Sequence, residues 1–464
     1  MDLLGAASVS AVPFRLKKIY YFISVTSLGL IGWAVQHFGE TNLPPLLLSV
    51  RYITLALYVN WFLSYTFFVL DPGIENEKLS GWIWLAVIGA FLSLMHPVFS
   101  GDLMEYLIRG RMLGIYHVSP YRFIPLDFPN DLLRPYSVWA KNPDSYGPLS
   151  VYLQTLPAML FKTSITGMIW AYKMMILGFY GVSVLFFWKM VQQLKLANAG
   201  RIWAMFAYCP LLVVLAFIDG HNDILMVSFS VISLYFLSRD KFTSAFIFWT
   251  LGFLVKYMIV IHLPFMVLYA LKRKWEEDKS FPWRFAVGQL ALNVIIIVAC
   301  FAPIWAGNST FLAILRQKGA FYTNTFPYLF YLVPSYFGVV LDQQFLKTLF
   351  LSLFGAVYLY LLARCWKGTE KLTDDFFRIL SLSYLAFYLA LPSPMGSWYM
   401  LWAVPWIVLA RWDNKMLLIL LYSAAGLLGF YKRYNFLFAA ALLVYGASWL
   451  SRHYWRKSTG NNFI

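Results

Sequence analysis

Long runs of apolar residues without a single charge recur along this chain of 464 residues, as at 82–95 and 285–304. In a helix, about 20 such residues span the hydrocarbon core of a bilayer, where every backbone polar group must be satisfied internally. Hydrophobic residues make up 61% of the chain and charged residues 12%, a ratio of about five to one where soluble domains have about two to one. The sequence therefore predicts an all-α polytopic transmembrane bundle and excludes a soluble globular protein.

The positive charges indicate how the chain is threaded through the membrane. Lys and Arg exceed Asp and Glu by 16, and in membrane proteins such a surplus gathers in cytoplasmic loops, facing anionic lipid rather than nucleic acid. Arg15, Lys17 and Lys18 place the amino terminus inside. Further positive clusters alternate with neutral turns at 239–241, 272–274, 367–371, 411–415 and 452–457. This alternation predicts about 12 to 14 crossings of the cell membrane.

The predicted organisation has two parts and no separate soluble domain. Residues 1–80 form amino-terminal transmembrane helices, and residues 81–464 form one membrane module. This module includes an external segment, 101–148, which begins as an amphipathic helix and continues rich in Pro, Asp, Asn and Tyr. The short apolar stretch 147–161 is expected to be an interfacial or re-entrant helix.

The first unusual polar cluster follows the third predicted helix. Residues three and four apart share a helix face, so Asp102, Glu105, Tyr106 and Arg109 lie on one stripe, with Arg111 nearby. A carboxylate with arginines one or two turns away suits a phosphate-bearing lipid substrate, because it offers a base and guanidinium donors. An interfacial helix with internal salt bridges is the alternative.

Further polar groups stand where lipid does not explain them. Asp219, His221, Asn222 and Asp223 occur within five residues between two apolar runs, and Lys256 lies inside another run. Ionisable groups at such places usually line a cavity, although a hydrophilic hairpin tip and a snorkelling lysine are alternatives. Three more candidates lie at predicted outer ends of helices, where an aromatic belt could also account for them: Tyr146, Trp398 and Tyr399.

These clusters, taken in chain order, resemble the GT-C superfamily of polytopic glycosyltransferases. The similarity is greatest to bacterial polyprenol-phosphate-mannose dependent alpha-mannosyltransferases. It is carried by the stretch 102–111, by Tyr146-Gly147-Pro148, by Gly220-His221-Asn222-Asp223, and by Ser397-Trp398-Tyr399 with the four residues after it. The resemblance spans most of the chain from about residue 81 to residue 405.

The resemblance implies an external active site in which Asp102 is the general base of an inverting transfer, with Glu105 in reserve. The leaving polyprenyl phosphate would be held by some of Arg109, Arg111, His221 and Lys256. The other motif residues expected to bind substrate are Tyr146, Asn222, Asp223, Trp398 and Tyr399. The expected partners are a polyprenyl-phosphate hexose, with mannose as the expected sugar, and a glycolipid or glycan acceptor.

Neither a metal nor a cofactor is expected. The Asp-x-Asp motif of the oligosaccharyl transferase branch is missing, because Met104 stands where the second aspartate would be. The three cysteines form no CxxC and have no His at ligand spacing. Two other functions stay open. One is a lipid-linked sugar flippase, against which the lack of repeated halves argues, and the other is a glucosyl or arabinosyl transferase of the same superfamily.

Overall fold

The computed structural model describes residues 12–38, 44–76, 81–94, 97, 100–317, 325–368, 372, 374–390 and 397–410. Every regular element in these ranges is helical, which confirms the predicted all-α class. The α-helices are α1 (Phe14–Phe38), α2 (Pro44–Leu70), α3 (Gly81–Ser93), α4 (Asp102–Gly114), α5 (Pro148–Leu160), α6 (Ile165–Gln193), α7 (Ala199–Ala207), α8 (Pro210–Val213), α9 (Asp223–Leu237), α10 (Phe242–Val255), α11 (Leu263–Asp278), α12 (Trp283–Phe301), α13 (Leu312–Gln317), α14 (Phe326–Ser335), α15 (Gln343–Gly368), α16 (Asp374–Ala390) and α17 (Val404–Leu409).

Several of these helices have the length and composition of membrane spans. Helices α6, α12 and α15 are each long and apolar enough to cross a bilayer, and α7 with the segment Pro210–Ile218 forms one more apolar unit, bent by 43°. The chain is therefore a membrane protein. The total of about 12 to 14 crossings stays a prediction, and its part in 411–464 lies outside the described residues.

The bend after α7 comes from Pro210. Proline has no amide N–H and disfavours a helical residue before it, and Cys209 indeed has an extended ψ of 123°. A π-helical turn, Val214–Ile218, follows α8. The chain then turns through Gly220, whose φ of +61° lies in the left-handed region that glycine tolerates best. As a result, the polar stretch 219–223 lies buried between two helical pieces.

Helices α9 and α10 form an antiparallel pair that brings two distant polar residues to one end. Asp223 begins α9 and Lys256 follows α10 directly, while the turn that joins the two helices carries Arg239 and Lys241 at the opposite end. The two helices pack along each other, and α6 packs against α9. Asp223 and Lys256 therefore lie together, one helix length away from the positive turn.

Two glycines allow the external segment to dock closely on these helices. A methyl group on Gly110 of α4 would lie 2.1 Å from the carbonyl oxygen of Gln154 in α5. A methyl group on Gly147 would lie 2.1 Å from the carbonyl oxygen of Leu254 in α10. The Gly147 amide also donates to the carbonyl of Val255 at 3.0 Å. The end of the external segment is thereby fixed beside Lys256.

Candidate active site

An imidazole held between two carboxylates forms the centre of the candidate site. Nε2 of His221 lies 3.4 Å from Oδ2 of Asp102, and Nδ1 lies 2.7 Å from Oδ2 of Asp223. Burial lowers the pKa of His221, but the hydrogen bonds to both carboxylates raise it more, so the pKa lies above its usual value. Both contacts are satisfied together only when each ring nitrogen carries a proton, and the site therefore favours the imidazolium form.

The two carboxylates differ in their access to solvent. The side chain of Asp102 is 11% exposed, whereas that of Asp223 is completely buried. Asp223 also accepts a hydrogen bond from the indole N–H of Trp402, and each of its oxygens lies 2.9 Å from Nζ of Lys256. Both oxygens of Asp223 are therefore occupied by donors, and Asp102 is the more exposed carboxylate of the two.

Lys256 is enclosed by aromatic rings. Its Nζ lies 5.4 Å from the ring centroid of Tyr146, 5.0 Å from that of Tyr399 and 5.3 Å from that of Trp402. Such distances are within the range of cation–π attraction. Together with Asp223, these rings retain the ammonium group in a site that is only 7% exposed.

Aromatic and amide groups surround the other side of His221. The Tyr106 hydroxyl donates to Oδ1 of Asn222 at 3.1 Å and lies 3.2 Å from Nδ1 of His221. The Tyr106 ring contacts the Tyr146 ring edge to face, with centroids 5.4 Å apart. The Trp398 ring lies 4.5 Å from the imidazole, at an angle of 33°. Residues from α4, from the stretch 219–223 and from the segment of Trp398 therefore converge on one imidazole.

The structure places Glu105 and Arg109 in a different network. Glu105 accepts hydrogen bonds from Arg109, from the Ser137 hydroxyl and, at 2.8 Å, from the Trp139 amide. Nε of Arg109 lies 3.7 Å from Oδ1 of Asp144. Burial raises the pKa of Asp144, although Arg109 opposes this. Burial lowers the pKa of Arg109, but Asp144 and Glu105 raise it more. This network fastens the later, irregular part of the external segment to α4.

Arg111 also forms its ion pair at a distance from His221, with another residue of the external segment. Its Nε donates to Oδ2 of Asp131 at 2.7 Å, and its Nη1 donates to the carbonyl of Lys162. Both groups of this ion pair are buried. Of the four cations expected to hold a phosphate, His221 and Lys256 thus share the cluster around Asp223, whereas Arg109 and Arg111 neutralise carboxylates of the external segment.

A comparison with known families identifies the class of enzyme. Residues 22–272 match the family model of the alpha-(1->6)-mannopyranosyltransferase N-terminal domain, which covers more than half of the chain. The chain belongs to this mannosyltransferase family. It is therefore a membrane glycosyltransferase. The searches of curated proteins and of solved structures gave no match.

The matched part of this mannosyltransferase contains most of the candidate site. Asp102, His221, Asp223 and Lys256 all fall within residues 22–272, whereas Trp398 lies beyond them. Within the described ranges, no three His, Cys, Asp or Glu side chains are grouped closely enough to hold a metal ion.

Sequence reasoning did not assign two residues of this cluster in the mannosyltransferase, nor a third residue, Lys173, that lies beside it. Tyr106 stands on the helical stripe, where it shares a face with Asp102, and Trp402 lies within the stretch that begins at Ser397, one turn after Trp398. Lys173 had a different signal, since it is a lone charge inside the long apolar helix α6. An ionisable residue at such a position is a functional candidate by default.

Proposed function

We propose that this mannosyltransferase takes mannose from a polyprenyl-phosphate mannose and transfers it, with inversion, to a hydroxyl group of a glycan or glycolipid acceptor outside the cell. The observation that carries the proposal is the position of Asp102. It is the accessible carboxylate of a buried, charged cluster, and it contacts His221 at 3.4 Å. A carboxylate so placed can accept the proton of an acceptor hydroxyl group.

The reaction can be written with these groups. Asp102 takes the proton of the acceptor hydroxyl while the hydroxyl oxygen attacks the anomeric carbon. The bond between that carbon and the phosphate oxygen breaks, and polyprenyl phosphate leaves with the electron pair. His221 and Lys256 supply positive charge beside the reacting atoms, and fixed charges in a site shielded from water stabilise a developing anion well.

Glu105 is the weaker candidate for the base. Its carboxylate already accepts hydrogen bonds from Ser137, from the Trp139 amide and from Arg109. Glu105 would have to break this network in order to accept a proton from the acceptor hydroxyl, whereas the Asp102 carboxylate contacts His221 and is 11% exposed.

The external position of the site is supported by the distribution of charge. The turn between α9 and α10 carries Arg239 and Lys241, and α11 ends in a segment that carries Lys272 and Lys274. Positive turns lie on the cytoplasmic side of a membrane. Asp223 and Lys256 are at the opposite ends of these helices, so the site faces away from the cytoplasm in this arrangement.

The test uses the full-length protein reconstituted in liposomes with radiolabelled polyprenyl-phosphate mannose and a mannoside acceptor lipid. We expect a new labelled glycolipid and released polyprenyl phosphate, with the anomeric configuration of the mannose inverted relative to the donor. Labelled donor that crosses the bilayer without forming product would instead support a flippase. Transfer from a glucosyl or arabinosyl donor, but not from the mannosyl donor, would contradict the proposed donor sugar.

A further inference from the structure

Lys173 is a buried charge that the reaction above does not use. It is completely buried in α6, eight residues after Ile165, and therefore about 12 Å along the helix at 1.5 Å per residue. A charged side chain inside an apolar helix is costly and usually faces the interior of the bundle. Its electrostatic neighbour is Asp219, the residue that precedes Gly220. This places the Lys173 side chain against the polar stretch 219–223.

The backbone of that stretch is held in a particular turn. Gly220 has a φ of +61°, and the amide of His221 closes back on the carbonyl of Leu215 at 2.8 Å. The amide of Asp219 donates to the carbonyl of Val214 at 3.1 Å. A residue in the left-handed backbone conformation, with hydrogen bonds on either side, fixes the direction of the chain at the next residue. The position of the His221 ring consequently depends on how Gly220 is packed.

Two side chains pack against Gly220. A methyl group on Gly220 would lie 2.9 Å from Cγ and 3.8 Å from Cε of Lys173, and 3.7 Å from Cδ1 of Leu103. The aliphatic stem of Lys173 thus lies along one side of the glycine. Leu103, the chain neighbour of Asp102, lies on another. The packing around Gly220 therefore involves the chain neighbours of both His221 and Asp102.

We propose that Lys173 is a positioning residue for mannosyl transfer, because its aliphatic stem supports the turn at Gly220 and so maintains the contact between His221 and Asp102. The inference rests on the proposed function, in which that contact orients the base. Misplacement of a catalytic group by about 1 Å can reduce the rate by about a hundredfold. Asp219 is the electrostatic neighbour of the Lys173 amine, whereas the carbon atoms of the side chain are the part that packs against Gly220.

The test separates the stem from the charge. Lys173→Met with Asp219→Asn keeps the stem and removes both charges, which avoids leaving one of them buried and unpaired. Lys173→Ala with Asp219→Asn removes the stem as well. The control is Lys189→Met, which lies in the same helix and contacts the Phe186 ring instead. In the transfer assay, we expect the Ala double variant to lose kcat by about tenfold to a hundredfold, while its donor KM stays near the wild-type value. The Met double variant and the control should keep kcat near the wild-type value.

A second measurement needs no substrate. Diethylpyrocarbonate modifies accessible imidazoles, and mass spectrometry gives the rate at His221, which is completely buried in the wild type. We expect faster modification in the Ala double variant, and wild-type rates in the Met double variant and the control. If wild-type protein transfers no mannose, the proposed function fails, and the modification rates still test whether the stem positions His221.

Three outcomes would overturn the role of the stem. One is an Ala double variant that equals wild type in both measurements. Another is an Ala double variant whose donor KM rises while kcat is unchanged. The third is a Met double variant that loses kcat and exposes His221. Because this last result needs only the Met double variant, the proposal stays falsifiable even if the Ala double variant does not fold.

Discussion

Nζ of Lys256 lies 2.9 Å from both carboxylate oxygens of Asp223, although the two residues are separated by the whole α9–α10 hairpin. Both residues are buried, and Asp223 also contacts His221. The pair therefore joins the start of α9 to the end of α10, and its carboxylate also holds the imidazole of His221. A buried pair of this kind contributes little net stability when intact, but the loss of one partner is costly.

Asp223→Asn should lower the stability of the protein markedly. It leaves the Lys256 ammonium buried without its carboxylate, and breaking a buried pair costs about 3 to 5 kcal/mol. Thermal unfolding in detergent should show a clearly reduced Tm. Asp240→Asn, at the half-exposed opposite end of the same hairpin, is the matched control and should change Tm much less. An unchanged Tm for Asp223→Asn would show that this pair does not support the hairpin.

Arg111→Gln should affect stability rather than donor binding. Its partner Asp131 is buried, so the variant leaves a carboxylate without its cation. We expect a lower Tm and an unchanged donor KM. Lys256→Gln, by contrast, should raise the donor KM, because Lys256 lies beside Asp223 and His221 in the candidate site. Equal increases of the donor KM in both variants would show that Arg111 also binds the phosphate.

The rate of transfer should fall at alkaline pH. The pKa of His221 is lowered by burial but raised more by hydrogen bonds to Asp102 and Asp223, so it lies above its usual value of about 6.5. The imidazolium and the stability that it contributes are fully present below that value, and they are lost as pH rises through the folded-state pKa.

A pH profile of kcat/KM checks this expectation. The alkaline decrease should disappear in His221→Gln, whose overall rate should also be reduced. His117→Asn, in the exposed turn after α4, should keep the decrease. Asn is suitable there because His117 has a φ of +54°, which Asn tolerates. Persistence of the same decrease in His221→Gln would assign it to another group.

The sequence identified the groups around His221 better than the partners of Arg109 and Arg111. Apolar runs made the interior positions of Asp102, His221 and Lys256 conspicuous, because lipid offers no other reason for charges there. Helical spacing placed Asp102 and Arg109 on one face. Spacing does not determine the partner, however, and Arg109 pairs with Asp144, which lies in an irregular part of the external segment.

The same limit applies to the contacts that complete the site. Trp402 reaches Asp223 across 179 positions of sequence, and Lys173 reaches Gly220 from another helix. No local pattern encodes such distances, since they depend on how the helices pack. The turn at Gly220 is likewise packed by side chains from two other helices, α4 and α6.

The most direct measurement of the central claim is the single-turnover rate of mannosyl transfer by Asp102→Asn, with donor binding measured in parallel. The asparagine keeps the size of the side chain but cannot accept the proton, and general-base assistance is worth about a hundredfold to ten-thousandfold in rate. We predict a loss of that size with donor affinity retained, while Asp127→Asn, an exposed aspartate of the external segment, stays at the wild-type rate. Transfer by Asp102→Asn at the wild-type rate would contradict the assignment of Asp102 as the base.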